Sequence, residues 1–138
     1  MTVGMVARRE SQEQLHGLSR ELQDVHRSLI EVSRQRHELA NGPARSRAEL
    51  LELLMNDEAF VWLRPLSRLI VEIDELAAHD PASSEAETEA MCARVRVFIS
   101  PSDDPDAFGS RYVALLTSEP RVAMSHIGLR ARVGRNTA

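Results

Sequence analysis

The chain has 138 residues and a formal net charge of −4, with 28% of its residues charged. That length suits one domain able to bury a core without staples, and a single cysteine, Cys92, excludes an intramolecular disulfide and a cysteine-based metal cluster. Aromatic residues are scarce at 4%, and glycine and proline number six each, so the core must be aliphatic and the long leucine periodicities point to an all-α fold, not to disorder.

No segment is long and apolar enough to span a bilayer, and the opening MTVGMVARRE is too short an apolar run for a signal peptide. A cytoplasmic protein with no membrane partner is the expectation, in keeping with the lone thiol. All seventeen basic residues are arginine, a bias read as codon preference before phosphate chemistry. Residues 1–48 carry +2, residues 49–107 carry −10 and residues 108–138 carry +4. Basic terminal helices are therefore expected to lie along acidic middle ones, which helps select topology more than it adds stability.

Residues 1–9 and 134–138 are expected to fray, and one long helix is predicted over 10–40. Leu15, Leu18, Leu22, Val25, Leu29, Val32 and Leu39 follow a 3-4 repeat, with Arg36 interrupting it. A helix of that length spans about 45 Å. Two readings follow. In one, the helix projects and pairs with a second copy through Leu15, Leu18, Leu22, Val25 and Leu29, giving a homodimer. In the other, it forms one edge of a bundle, where heptads are also common. Asn41-Gly42-Pro43 stops it.

Ser46 and Glu49 form an S-x-x-E box that opens a helix near Arg47, and Asn56-Asp57 offers a second N-cap. Pro65 begins a new helix or kinks a continuous one. Beyond it, Leu66, Leu69, Ile70, Ile73, Leu76 and Ala77 recur at helical spacing. After a loop at Asp80-Pro81-Ala82-Ser83, Ser84 and Glu87 open a helix to about Ile99, with Met91, Val95, Phe98 and Ile99 inward. A further helix is predicted from about Pro105 to Thr117. The last runs from Pro120 to about Val133, with Val122, Ala123, His126, Ile127 and Arg130 along its stripe, and ends at Gly134. The expectation is a single domain over 1–138, a compact bundle of five to seven helices. Its core is expected from Leu50, Leu54, Phe60, Trp62, Leu63, Leu66, Leu69, Ile70, Ile73, Val95, Phe98, Phe108, Tyr112, Leu115 and Ile127.

Three segments, WLRPLSRLIVEIDEL (Trp62–Leu76), SEPRVAMSHIGLR (Ser118–Arg130) and HELANGP (His37–Pro43), resemble a family of small bacterial helical proteins that has no established activity. The likeness covers roughly residues 26–133. It implies a bacterial, soluble, helical protein and carries no functional residues with it.

Chemistry-bearing patterns are few. Glu13 and His16 make one E-x-x-H, but a di-iron bundle needs two such pairs and two further glutamates, so no metal and no cofactor is assigned. Cys92, His126 and Asp74 lack the surroundings of a nucleophile signature. Arg64, Asp74 and His126 are the candidate polar cluster, with Asp74 read as a structural clamp before a catalytic acid. Arg121, Arg130, Arg132 and Arg135 form too small a basic face for nucleic acid. The remaining reading is a helical interaction or scaffolding module with a protein partner. The alternative is a metal-dependent or small-molecule enzyme with a pocket between the central and closing helices.

Overall fold

A computed structural model describes residues 2–79 and 82–134, with side chains from Val6 onward. The described residues form helices and connecting loops: α1 (Thr2–Asn41), α2 (Arg47–Asn56), the single turn α3 (Glu58–Val61), α4 (Arg64–Ala77), α5 (Glu85–Phe98), α6 (Phe108–Ser118) and α7 (Pro120–Val133). The all-α bundle expected from leucine periodicity is the fold.

Helix α1 is the axis of the molecule. Its 40 residues extend about 60 Å at roughly 1.5 Å per residue. It starts at Thr2 and not near residue 10: no proline lies between them, and Arg8 is tied down by donating to the Ala82 carbonyl at 2.6 Å. The expected fraying of residues 135–138 and the Asp80-Pro81 part of the loop lie outside the described residues. Gly42, at φ +80°, closes the helix, and its amide reaches the Glu38 carbonyl at 2.7 Å.

Two helices run antiparallel to α1 on either side. Along α4, the Ala77 carbonyl meets Gln12, Asp74 meets Ser19 and Ser67 meets His26. Along α7, Gly128 faces Glu21, Ser125 bonds Ser28 and Glu119 pairs with Arg36. Helix α5 packs on the N-terminal half of α1, where Gln14 approaches Cys92, and α6 bridges α5 and α7. The heptad stripe of α1 is thereby enclosed: Leu15, Leu18, Leu22 and Leu29 are fully buried and Val25 is 1% exposed. These five residues do not form a free seam for a second copy. The chain's own α4, α5 and α7 cover them, so this stretch of the long helix lies inside the bundle. Ser11, Ser19, Ser28 and Ser33 are buried beside them, small enough to let the flanking helices approach closely.

Several boundaries follow their caps. Ser46 accepts from the Glu49 amide, Asp57 from the Ala59 amide, and Ser84 and Glu87 form a complete capping box. Pro65 sits in the first turn of a separate helix, α4. Helix α6, by contrast, starts at Phe108 and not at Pro105. Ser110 holds the preceding loop in place: its hydroxyl donates to the Ser102 and Asp104 carbonyls and accepts from the Ser102 amide.

The core departs from expectation in several places. Trp62, Ile70 and Phe98 are only partly buried against it. Ile127 is 66% exposed, while Val122, Leu129 and Val133 are buried. The cause is the rotation of α7, which turns His126 toward Tyr112. Leu39 is 88% exposed beyond the reach of α7. Leu50 and Leu54 are only half-buried, because α2 buries no residue and has α3 as its main neighbour. The expected alignment of basic ends with the acidic middle is only partly seen: Arg111 lies 3.6 Å from Asp106 of the middle segment, but Arg36 pairs with Glu119 and Arg121 lies 3.9 Å from Glu31, so that the two ends also pair with each other.

Candidate binding cleft

The aromatic residues gather where α3, α5 and α6 meet. Phe108 stacks on Phe98 at 4.4 Å and on Trp62 at 5.3 Å between ring centroids, and continues to Tyr112 at 5.8 Å. This stack fixes the face of Trp62, and the indole N–H donates to the Ala59 carbonyl at 2.9 Å. Trp62 stays half-buried, and one edge of it lines a cleft of about 700 Å³ between the C-terminal part of α1, the α2–α3 junction and α6.

The cleft walls are mixed. Ala40, Ala59, Ala114, Leu115 and Trp62 supply apolar surface, and Arg36, Arg111, His37, Asp57, Glu58, Ser33 and Ser118 supply polar groups. The Arg111 guanidinium carbon lies 5.9 Å from the Trp62 centroid, a cation–π contact, and is held only loosely by Asp106 at 3.6 Å. Arg36 pairs with Glu119 at 2.8 Å, and its side chain remains 54% exposed. Asp57 is occupied structurally. One of its carboxylate oxygens caps α3 through the Ala59 amide, and the other lies 3.6 Å from His37 Nε2. The His37 ring tilts against Phe60 at 6.1 Å, so this pair joins α1 to the α2–α3 junction. The Ser118 hydroxyl is engaged with the Ala114 carbonyl at 3.0 Å. The arrangement offers two cations beside an aromatic edge and an apolar floor, which is the chemistry of recognition.

The cluster of Arg64, Asp74 and His126 does not assemble. Arg64 donates to the Met55 carbonyl, and Asp74 lies ten residues further along α4, about 15 Å away. Asp74 accepts from Ser19 Oγ at 2.5 Å and so links α4 to α1, but the residue is exposed and its partner is a serine. His126 Nδ1 bonds the buried Tyr112 hydroxyl at 2.7 Å. Burial first, and Arg130 second, hold the His126 ring below the usual imidazole range, and burial pushes the Tyr112 phenol up. The expected pocket between the central and closing helices is also displaced. His126 and Arg130 border a separate hollow of about 280 Å³ between α5, α6 and α7, and the larger cleft contains Trp62 but neither Asp74 nor His126. Cys92 is buried, and burial raises its thiol above the ordinary range. Among the described residues, no group of three His, Cys, Asp or Glu is placed to hold a metal ion, and no helix is long and apolar enough to cross a membrane.

Sequence reasoning passes over Arg111 and His37, which carry no local motif. Two other cleft residues do leave a trace: Arg36 as the interruption of the heptad and Asp57 as a cap. Comparison with protein-family models, curated proteins and solved structures found no match for this chain.

Proposed function

We propose that this chain is a helical interaction module that uses the Trp62 cleft to bind an acidic segment of a protein partner. The observation that carries the reading is the placement of Arg36 and Arg111 on two walls of a concave site with Trp62 at its edge. Arginine and tryptophan are the side chains that most often dominate protein recognition. Both cations keep substantial exposure, at 54% and 43% of the side chain, and their intramolecular acids can be exchanged for carboxylates of a ligand. The alanines and Leu115 supply an apolar seat between them. An enzyme reading finds less support in the same place, since His37 and Asp57 are engaged in joining helices and the Ser118 hydroxyl is already donated.

Selection of random twelve-residue peptides on the immobilised full chain tests the proposal. The expected result is enrichment of sequences with acidic residues flanking an apolar one, and loss of their binding in the Arg36→Glu/Arg111→Glu variant. Enrichment of basic sequences, or equal binding by the variant, would contradict it.

A further inference from the structure

Helix α2 stands apart from the rest of the bundle. It contains four leucines and a methionine within ten residues, yet it buries none of them. Leu51 and Met55 are 58% and 54% exposed, and Ala48 completes the outward stripe at 3-4 spacing. Two opposite charges border this stripe on opposite sides. Arg47 directly precedes Ala48, and Glu52 directly follows Leu51. Among the described residues neither side chain has a recorded ion pair or hydrogen bond.

This is the pattern of a short two-stranded seam. With Ala48, Leu51 and Met55 as the contact positions, Arg47 and Glu52 occupy the two flanking positions, five residues apart. In a parallel pair of helices, residues so placed meet across the seam. We propose that α2 pairs in parallel with α2 of a second copy of this chain, about a two-fold axis running along the helices. The axis makes the contact isologous, so Arg47 of each copy meets Glu52 of the other and the pairing occurs twice. An antiparallel pair would set the Glu52 edge against itself, so the charges select the parallel arrangement. The surface used is distinct from the enclosed heptad of α1 and independent of the Trp62 cleft.

Helix α2 is about 15 Å long, so the seam is small and the dimer reversible. The test is sedimentation equilibrium of the full chain over about 1–200 µM, where small interfaces associate. A monomer–dimer equilibrium is expected. Arg47→Glu and Glu52→Arg should each weaken it about tenfold, and the two together should restore it to within about threefold of wild type. Leu51→Glu should leave a monomer with unchanged helical circular dichroism, since Leu51 is outside the core. A wild-type chain that stays monomeric throughout would overturn the proposal. Charge reversals without effect, or a double reversal as weak as either single one, would do the same.

Discussion

Gly109 is buried where the loop after α5 turns back over the start of α6. A Cβ there would lie 1.8 Å from the Ser100 carbonyl oxygen, a backbone atom that cannot swing away. Gly109→Ala is expected to lower the unfolding free energy by about 1–3 kcal/mol, read by urea denaturation. Gly17 provides the contrast. The three atoms nearest its Cβ would all belong to the Arg132 guanidinium, the closest at 2.5 Å, at the end of an exposed and flexible side chain. Gly17→Ala should therefore match wild type or gain up to about 1 kcal/mol from helix propensity. Two histidines set a pH dependence. Burial holds His26 and His126 below the ordinary imidazole value, with Arg130 adding to the effect at His126. Around neutral pH and just below it, the unfolded chain then binds more protons than the folded one. Stability is full above about pH 6.5 and falls as the pH drops through the lower folded values. Replacing both rings by glutamine should flatten the fall in unfolding free energy between about pH 7.5 and 5.5. An unchanged slope would show that other groups set it.

At the scale of elements, α1 decides the fold, and Leu22 reports on its role. Because Leu22 is fully buried under the flanking helices, Leu22→Ala should cost about 2–5 kcal/mol of stability and leave the mass in solution unchanged. Ser84→Ala should cost about 1 kcal/mol through loss of the α5 capping box. Much of this level is legible in the sequence. The stripe of α1, the caps at Ser46, Asp57 and Ser84, and the stops at Gly42 and Gly134 all follow from local chemistry. What covers the stripe is not legible, since a 3-4 repeat identifies a face to be buried and does not say which helix buries it. The face of α7 escapes for a related reason. Ile127 and Leu129 are both plausible inward residues, and the choice goes with a hydrogen bond between Tyr112 and His126 made across helices. The Ser110 contacts that delay α6 to Phe108 are likewise made after the chain has turned back on itself.

For the whole molecule, the cleft is where side chains from distant parts of the chain meet. Helices α1 and α6 each bring an arginine to the cleft, and the acids available to them, Glu119 and Asp106, sit at or just beyond helix ends. The candidate site was only partly visible beforehand because its residues come from three parts of the chain and share no motif. Trp62 is the sole tryptophan and borders the cleft, so the molecule carries its own reporter. The most direct measurement is a titration of wild-type protein with a selected acidic peptide, following Trp62 emission alongside calorimetry. The account predicts a saturable change in emission with one peptide per chain, weakened about tenfold or more by Arg111→Glu. Saturable heat with no change in Trp62 emission, or unaltered affinity in the variant, would place binding elsewhere and contradict the assignment of the cleft.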